Sequence, residues 1–349
     1  MNSELKVEGY TISNHHPFIV AEVGINHNGD MGLAKECIAA AAEAGADSVK
    51  FQSYKTEDFI FDRSLMFTYL SQGKKVKESQ FEMFKRCEIN RDNILFLKQE
   101  CDKHGVNFHS TPTSLAGIKD LEFVGSQLLK NGSDYLTNLE LIRAMGETGL
   151  TTVLSTGMAT LTDIDEAVET FRSTGNEKLI LLHCTSAYPT PAEEVNLARL
   201  GTLSSAFGVP VGFSDHSKGV TAAVAATVLG TCWIEKHFTL DRNLPGPDHW
   251  FSMDPSELTE LVDSVRSAEK MVGDAKIIPT VSELESRKNF RLSCVARDTL
   301  EKGHVVTDTD IVFRRPGNGL VPRDSKHIVG RVVKEVISAG SVFSDDMFK

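Results

Sequence analysis

The sequence predicts a (β/α)₈ barrel followed by a small β-rich domain. Eight short apolar segments rich in Val, Ile and Phe recur between residues 18 and 239. Amphipathic helical patterns lie between them, and several of these patterns end in a glycine, a common C-terminal stop signal for helices. The chain from about residue 290 onward lacks this alternation. Strands and helices that alternate in this number favour a closed parallel barrel.

The same segments argue against the main alternative, an open doubly wound sheet. They are FIVAEVG (18–24), SVKFQS (48–53), VNFHSTP (106–112), QLLKNGS (127–133), TTVLSTG (151–157), LILLHCT (179–185), VGFSDH (211–216) and CWIEKHFT (232–239). An open sheet normally has fewer strands and carries a glycine fingerprint after the first one. Here the first strand is followed by GINHNGD, which lacks the G-x-G-x-x-G spacing.

One connection is too long for a plain barrel loop. Residues 54–91 separate the second strand from the next regular helix, which begins with RDNILFLKQ. A connection of this length in a compact domain is usually a functional insertion or a lid. Since it leaves the C-terminal end of its strand, where barrel enzymes carry their active sites, we expect it to lie near the site.

The pattern divides the chain into a barrel over 1–273, a linker over 274–289 and a small β-rich domain over 290–349. The helix DPSELTELVDSVRSAEKMVG closes the barrel segment. The final segment contains a weak internal repeat, in which RDTLEKGHVVTDTDI aligns with KEVISAGSVFSDDMF. Gly303 then falls over Gly340, and Asp308 over Asp345. The repeat predicts a module built from two related halves.

The composition is that of an ordinary globular protein with an acidic bias. Of 349 residues, 41% are hydrophobic and 24% charged, and the formal net charge is -11. This charge disfavours binding to nucleic acid or to anionic membranes. Six scattered cysteines indicate reduced thiols, and neither a signal peptide nor a run of ~20 apolar residues is present. We expect a cytoplasmic protein that acts on small molecules, without nucleic-acid or membrane partners.

Polar side chains stand at the same end of all eight predicted strands. In a barrel, catalytic groups come from the C-terminal ends of the strands and from the loops that follow. One polar residue in a strand is commonly a surface group, but a complete ring is difficult to explain by packing. The predicted functional ring consists of Glu22, Lys50, Gln52, His109, Thr111, Lys130, Ser133, Ser155, His183, Thr185, Ser214, His216, Glu235 and His237.

Lys50 and Lys130 lie inside apolar strands, and three interpretations are open. They can form buried ion pairs with Glu22 or Glu235. They can instead bind an anion such as a carboxylate or a phosphate. One of them can also be the Schiff-base lysine of an aldolase, which requires a hydrophobic pocket that lowers its pKa. The hydroxyl donors available around an anion are Thr111, Ser133, Ser155 and Ser214.

His216 and His237 end the seventh and eighth strands, which are neighbours in a barrel. Two imidazoles in this position can share a divalent ion and leave sites open for water or a substrate oxygen. The surroundings are rich in oxygen donors and lack cysteine, so Mn²⁺ or Mg²⁺ fits better than a thiolate-bound zinc. We interpret His109 and His183 as pocket lining.

Two loops complete the candidate site. NLPGPDHWFS (243–252) follows the eighth strand, and its prolines and glycine make it stiff enough for Asp248 to hold a substrate hydroxyl, although a plain turn is the alternative. NHNG (26–29) follows the first strand, and we expect it to line the rim without taking part in chemistry. His15 and His16 are interpreted as an exposed pair without a role.

In their order along the chain, these motifs resemble the sialic acid synthase family, which makes nonulosonic acids from phosphoenolpyruvate and an N-acyl sugar. The matching segments are AEVGINHNG, VKFQ, STP, LKNGS, STGM, LLHCTSAYPTP, GFSDHS, IEKHFT, PGPDH and RRPGNG. Each segment is weak alone, but the ordered set is specific and covers essentially the whole chain.

The resemblance implies a (β/α)₈ barrel with a C-terminal antifreeze-like (SAF) domain, in a homodimer whose SAF domains are swapped so that each caps the partner's barrel. It implies Glu22 as the catalytic acid/base and a divalent metal ion on His216 and His237. The residues implied for phosphoenolpyruvate are Lys50, Thr111, Lys130, Ser133, Ser155 and Ser214. Those implied for the sugar are Gln52, Ser186, Tyr188, Asp248 and, from the partner chain, Arg315.

The sequence departs from the family pattern near the sugar. KNGSDY (130–135) stands where the family commonly has K-x-G-S-G-E/D, so Tyr135 occupies the acid's place and Asp134 comes one residue early. Ser186 replaces an asparagine of some members.

The resemblance points most simply to N-acetylmannosamine as the sugar and N-acetylneuraminate as the product, with phosphate released by C–O cleavage. A legionaminate or pseudaminate synthase using a 2,4-diacetamido-6-deoxyhexose is the alternative, and a Schiff-base pyruvate aldolase or a non-enzymatic binding protein is more distant.

Overall fold

A computed structural model describes residues 5–7, 9–13 and 16–349 of the chain. His15 lies outside these residues, whereas His16 is exposed and its Nδ1 atom lies 2.6 Å from Oε1 of Glu269. The chain separates into two compact units, Met1–Gly273 and Asp274–Lys349, and each unit has its own apolar core. Within the described ranges, no helix combines the length and the apolar character needed to cross a membrane.

Eight parallel strands in the described part of the first unit close into a barrel. They are β3 (Phe18–Gly24), β4 (Ser48–Ser53), β7 (Asn107–Pro112), β8 (Leu128–Asn131), β9 (Thr151–Ser155), β10 (Leu179–Cys184), β11 (Val211–Asp215) and β12 (Trp233–His237). They follow chain order around the barrel, and β12 pairs with β3 to close it. The predicted fold class is confirmed.

Helices follow the barrel strands and surround them. They are α1 (Met31–Glu43), α4 (Arg91–His104), α5 (Leu115–Phe123), α6 (Leu139–Glu147), α7 (Leu161–Arg172), α8 (Arg199–Phe207), α9 (Thr221–Val228) and α10 (Pro255–Val272). Their starts follow from local chemistry, since the Asp30 side chain accepts the Gly32 and Leu33 N–H groups at α1. Asp254 forms a capping box with Glu257 at α10, directly before a proline in the first turn.

The two faces of each barrel strand have different partners, because successive side chains point to opposite sides. Outward-facing residues such as Val49 and Ile234 join the large core between strands and helices. Inward-facing residues at the N-terminal ends, such as Phe18 and Trp233, fill the barrel interior. The hairpin of β1 (Leu5–Val7) and β2 (Tyr10–Ile12) packs against this inner cluster. The N-terminal end of the barrel is therefore closed by apolar packing.

The long connection after β4 is an ordered insertion. It contains α2 (Thr56–Phe59), β5 (Met66–Ser71), β6 (Lys74–Ser79) and α3 (Gln80–Arg86), and β5 pairs with β6 as an antiparallel hairpin. Its base is held by edge-to-face aromatic contacts, since the Tyr54 ring lies 5.4 Å from Phe59 and 5.5 Å from Phe84. The insertion therefore has an apolar anchor of its own on the barrel.

The second unit contains α11 (Glu283–Phe290), β13 (Ser293–Ala296), β14 (Ile311–Arg314) and α12 (Ser325–Ile328), and β13 pairs antiparallel with β14. Part of the predicted linker is thus helical, because α11 begins at Glu283. The internal repeat is visible in the backbone. Leu300 and Ile337, which the repeat superimposes, exchange N–H···O bonds of 2.8 and 2.9 Å. The equivalent Gly303 and Gly340 have φ values of 86° and 82°, which favour glycine.

Candidate active site

A cavity of about 640 Å³ opens at the C-terminal ends of the barrel strands. It is lined by both strand ends and the insertion. Of the residues predicted for catalysis, substrate or metal, the cavity lining includes Glu22, Lys50, Gln52, Thr111, Lys130, Ser133, Ser155, Ser186, Tyr188, Ser214, His216, His237 and Asp248. The roles of these residues stay predictions, but the fold brings their side chains to one place.

Lys50 lies on β4 at the floor of the cavity and is held between two acids. Its Nζ atom lies 2.7 Å from Oε2 of Glu22 on β3 and 3.4 Å from Oε1 of Glu235 on β12. It also donates to the Thr111 hydroxyl at 3.4 Å. Burial alone would lower the pKa of Lys50, but the two carboxylates raise it, so the lysine is a cation.

Lys130 on β8 shares Glu235 with Lys50. Its Nζ atom lies 3.4 Å from the same Oε1 atom of Glu235 and donates to the Ser155 hydroxyl at 2.7 Å. The Ser214 hydroxyl also donates to this Glu235 oxygen, at 3.4 Å. Glu235 therefore bridges the two lysines, and it brings two ammonium groups and two hydroxyls around one small volume.

The two buried carboxylates differ in protonation behaviour. Burial raises the pKa of Glu22, and Lys50 only partly offsets this effect. Burial also acts to raise the pKa of Glu235, but Lys130 and Lys50 together lower it far below its usual range. Gln52 donates to Oε1 of Glu22 at 3.1 Å. Glu22 can therefore exchange a proton, whereas Glu235 remains an anion that fixes the lysines.

Ser133 is placed by the loops after β8 and β9. Its hydroxyl accepts the Gly157 N–H at 3.0 Å and lies 3.1 Å from Sγ of Cys184. A Cβ atom added at Gly157 would meet Oγ of Ser186 at 2.4 Å and Oγ of Ser133 at 2.7 Å. The absence of a side chain at position 157 therefore lets these hydroxyls approach the cavity.

His216 and His237 stand side by side at the ends of β11 and β12, with ring centroids 5.5 Å apart. Nδ1 of His216 bonds the Thr185 carbonyl at 2.8 Å, which leaves Nε2 as the acceptor nitrogen. Nδ1 of His237 is buried without a hydrogen-bond partner. Burial lowers the pKa of both rings, so they are neutral imidazoles that can act as ligands. The Ser214 hydroxyl lies 3.5 Å from Nε2 of His216.

These observations fit a two-histidine metal site. No group of three or more His, Cys, Asp or Glu side chains in the described ranges is arranged to hold a metal ion. Oδ2 of Asp248 lies 3.9 Å from Nδ1 of His237. A metal bound by the two imidazoles would take its other ligands from water or substrate, as an open catalytic site requires.

Tyr188 and Asp248 form the wall beside the histidines. The Tyr188 ring lies 4.3 Å from that of His216 and 5.3 Å from that of Phe251. The Asp248 side chain is 22% exposed, and partial burial together with the nearby Glu22 raises its pKa to about 7. The cavity therefore presents an aromatic face and a carboxyl group at its side, which suits a polyhydroxylated substrate.

The NHNG loop supports this wall from behind. Asn26 is buried and donates to the Phe238 carbonyl at 2.8 Å and to the Ser252 hydroxyl at 3.0 Å, and Ser252 donates to the Asp248 carbonyl at 2.6 Å. His27 is fully buried, and burial lowers its pKa to about 4. The expectation that Asn26 and His27 line the rim is wrong, because neither side chain is part of the cavity lining. Asn26 bonds the loop after β12, whereas His27 accepts the Gly29 N–H at 3.0 Å.

The interpretation of His109 and His183 as pocket lining is also wrong. His109 lies on the inner face of β7 below the site, where its Nδ1 bonds the Ser48 hydroxyl at 2.8 Å. His183 faces outward, because its Nε2 contacts the Val195 carbonyl at 2.6 Å and its ring stacks on Phe213. The next residue of β10, Cys184, faces the cavity instead.

Several lining residues were not predicted. Asp134 lines the cavity beside Tyr135, and burial raises its pKa. The insertion and the loop after β12 contribute Phe67, Thr68, Tyr69, Gln80, Met83, Phe84, Trp250 and Phe251. Asp134 follows a predicted strand end and could have been found by that signal. Arg315 belongs to the second unit, where its guanidinium lies 5.2 Å from the centre of the Phe290 ring.

Comparison with known families agrees with this geometry. Residues 37–277 match the NeuB family, and residues 293–349 match the SAF domain. The chain belongs to the NeuB family. The predicted enzyme class and the predicted two-part architecture are thereby confirmed.

Characterised relatives resemble the chain over nearly its full length. It is 37% identical to the N,N'-diacetyllegionaminic acid synthase of Legionella pneumophila, covering 98% of both chains. It is 33% identical to the pseudaminic acid synthase of Helicobacter pylori, over 95% of this chain and 97% of the other. The crystal structure of an N-acetylneuraminic acid synthetase from Leptospira borgpetersenii has a TM-score of 0.74 at 34% identity, covering 82% of this chain and 95% of that one.

Proposed function

We propose that this NeuB-family enzyme joins phosphoenolpyruvate to an N-acyl amino sugar and releases phosphate, giving a nonulosonic acid. The observation that carries the proposal is the pair of buried lysines on the cavity floor, which lie beside two neutral histidines. The relatives named above make acids of this class. We favour a diacetamido-deoxyhexose as the sugar, with N-acetylmannosamine as the second candidate.

The floor suits a small, highly charged anion. Lys50 and Lys130 each supply an ammonium group, and the hydroxyls of Thr111, Ser155 and Ser214 lie within 3.5 Å of these lysines or of the acid that bridges them. Charge-assisted bonds of this kind bind carboxylate and phosphate strongly in a buried site. These donors are already fixed by the barrel strands, so they need little reorganisation as charge moves during the reaction.

The side wall suits the sugar. Gln52, Tyr188 and Asp248 lie above the lysines in the same cavity, and Ser186 adds a hydroxyl. Asp134 and Asp248 are acids, whereas Lys50 and Lys130 are the cations that line this cavity in the described ranges. Since both lysines lie at the floor, a negatively charged group at the far end of the sugar would be repelled. The wall therefore favours an uncharged sugar.

In the proposed reaction, C3 of phosphoenolpyruvate attacks the aldehyde carbon of the open-chain sugar, and the aldehyde oxygen takes a proton from protonated Glu22 to become a hydroxyl. The new carbon–carbon bond leaves C2 as an oxocarbenium centre beside the lysine-bound anion. Water adds at C2, and Glu22 accepts its proton, which the burial of this carboxyl favours. The C2–O bond to phosphate then breaks, the C2 hydroxyl loses its proton to give a ketone, and the bridging oxygen leaves with the phosphate.

The histidine pair would hold a divalent ion such as Mn²⁺ or Mg²⁺. A metal there would supply a Lewis acid for the aldehyde oxygen. The expectation that no cysteine lies near this site is wrong, because Cys184 lines the cavity. Burial raises the pKa of its thiol, so the oxygen-rich surroundings still favour these ions over a thiolate-bound zinc.

One assay tests the reaction and the metal together. The full-length protein is incubated with Mn²⁺, phosphoenolpyruvate carrying ¹⁸O at the bridging position, and a panel of N-acyl hexoses. We expect ¹⁸O-labelled phosphate with a diacetamido-deoxyhexose and no phosphate release after the metal is removed with a chelator. Adding Mn²⁺ should restore phosphate release in the native protein and in the exposed control His16→Ala. It should not restore phosphate release in His216→Ala. Phosphate without label, or none with any sugar, would overturn the proposal, and trapping by borohydride with pyruvate would indicate an aldolase.

We also propose that the enzyme is a homodimer in which Arg315 of the SAF domain reaches the sugar bound by the partner's barrel. Arg315 is exposed and carries a charged planar group suited to sugar and amide oxygens. Complementation tests this arrangement. Arg315→Ala and Lys130→Met should each be nearly inactive. Their mixed dimer should contain one native site out of two, so an equimolar mixture should recover up to about a quarter of the native activity. Mixing without recovery would show that each chain uses its own arginine.

A further inference from the structure

The wall that the insertion contributes to the cavity is aromatic and preformed. Phe67 and Tyr69 are two residues apart on β5, so their side chains share one face of the hairpin. Their rings stack with centroids 5.7 Å apart and planes inclined by 27°, and both line the cavity. Phe67 remains 38% exposed, which is unusual for a phenylalanine in an ordered strand.

The polar end of this stack is already occupied. The Tyr69 hydroxyl donates to Oε1 of Glu78 on β6, and the Arg86 guanidinium donates to both carboxylate oxygens of Glu78. The Tyr69 hydroxyl therefore has no proton left to donate to a sugar oxygen. What Tyr69 and Phe67 offer to the cavity is flat apolar surface.

The inserted hairpin of β5 and β6 is fixed in place by two hydrogen bonds to another part of the cavity wall. Ser71 accepts the Gly246 N–H at 3.2 Å, and Gln72 donates to the Asn243 carbonyl at 3.0 Å. Both contacts join the hairpin to the loop that carries Asp248. The stacked rings of Phe67 and Tyr69 are thus held at a fixed distance from Asp248. A rigid surface of this kind loses little conformational entropy when a ligand binds to it.

The position of the reacting atoms defines which part of the sugar meets this surface. In the proposed reaction, the aldehyde carbon lies over the lysine-bound anion at the buried floor. The far end of the sugar chain must then extend toward the mouth, where the insertion lies. A methyl group or an acetamido methyl there gains apolar contact with the Phe67 and Tyr69 rings, whose faces offer no hydrogen-bond donor to a hydroxyl or a phosphate.

We propose that Phe67 and Tyr69 are specificity-determining residues that select sugars carrying deoxy and acylamino substituents at the end remote from the aldehyde. The inference rests on the proposed function, because it requires a sugar whose aldehyde reacts at the cavity floor. It adds which residues discriminate among sugars and by what chemistry.

The test compares two sugars in one assay. Phosphate release is measured with a diacetamido-deoxyhexose and with N-acetylmannosamine, and the ratio of the two kcat/KM values is taken for each variant. Phe67→Ala should lower this ratio at least tenfold, in the range of about 10- to 200-fold that a hydrophobic pocket gives per lost apolar group. The KM for phosphoenolpyruvate should not change, since the lysine floor is intact.

Matched variants separate recognition from folding. Phe61 lies in the same insertion, is fully exposed and does not line the cavity, so Phe61→Ala should leave the ratio unchanged. Tyr69→Phe keeps the ring and should retain most of the preference, whereas Tyr69→Ala should lose it. Thermal unfolding of each variant verifies that the fold persists.

The outcomes distinguish the two proposals. Native protein that releases phosphate, together with a Phe67→Ala variant of unchanged ratio, would overturn this inference and leave the proposed function standing. An equal fall in kcat/KM for both sugars would also overturn it, because a wall that only shapes the cavity does not discriminate. No phosphate release by the native protein with either sugar would overturn both.

Discussion

Two kinds of buried lysine occur in the strands of this barrel, and they differ in the side of the wall they face. Lys50 and Lys130 face the cavity, where they share the single oxygen Oε1 of Glu235 at 3.4 Å. Lys236 faces outward, and its Nζ atom lies 2.7 Å from Asp215 and bonds the carbonyls of Ser217 and Gly219 at 2.7 and 2.8 Å. All three are buried and paired with acids.

The difference lies in how completely the ammonium groups are satisfied. Lys236 has three acceptors for its three N–H groups, so its position is fully explained by structure. Lys130 has two acceptors, and two of the three acceptors of Lys50 lie at 3.4 Å. Both lysines open onto a cavity that has space for another anion. Burial and ion pairing therefore do not by themselves mark a functional lysine, whereas weak or incomplete pairing beside a cavity supports the role proposed for Lys50 and Lys130.

The largest expected effect separates these two kinds of lysine. Lys130→Met should reduce kcat/KM for phosphoenolpyruvate on the order of 100- to 1000-fold, because a fixed cation is lost where charge develops. The fold should persist, since Glu235 keeps Lys50 as a partner. Steady-state phosphate release and thermal unfolding measure the two quantities.

Lys236→Met is the matched control. Removing its ammonium leaves Asp215 buried without a cation, which should lower the free energy of unfolding by about 3–5 kcal/mol. Molecules that remain folded should keep their turnover. If Lys236→Met abolished catalysis while stability was unchanged, the contrast between the two faces of the wall would be wrong.

A smaller effect should follow from crowding the hydroxyls beside Lys130. In Gly157→Ala, the new methyl group would displace Ser133 and Ser186, because it would lie 2.7 and 2.4 Å from their Oγ atoms. We expect kcat/KM to fall about 10- to 100-fold, as misplacement by roughly 1 Å does. Gly201→Ala on α8 is the control, since nothing lies within 4 Å of its added Cβ. It should leave kinetics unchanged and stabilise the protein by up to about 1 kcal/mol; equal kinetic losses in both variants would contradict this explanation.

The smallest effect is expected at Asn26, whose side chain holds the loop that carries Asp248. Asn26→Ala removes two buried hydrogen bonds near Asp248 and should cost about 1–3 kcal/mol of stability. The KM for the sugar should rise a few-fold, while that for phosphoenolpyruvate stays constant. Asn176→Ala is matched, because its side chain also donates to two acceptors, the carbonyls of Gly146 and Leu150, away from the cavity. It should destabilise similarly without changing either KM, and a changed sugar KM in this variant would refute the link to Asp248.

Much of the site could be predicted because strand ends converge in a barrel. Once eight strands are recognised, their polar C-terminal residues must meet at one opening, and thirteen of the predicted catalytic, substrate and metal residues do line one cavity. The prediction failed where the face of a strand had to be assigned. His183 was chosen in β10, whereas its neighbour Cys184 faces the cavity, because the two-residue period gives alternation but not which set points inward.

The sequence by itself determined the fold class, the order of the strands, the two related halves of the tail and the residue types at the strand ends. These depend on local periodicity and on turn and cap chemistry, which are written in neighbouring residues. Tertiary structure alone decided that Glu235 lies between Lys50 and Lys130, and that the inserted hairpin places Phe67 and Tyr69 along the cavity. Both depend on the registers of strands and on contacts between loops far apart in the chain, where spacing along the sequence carries no information about distance.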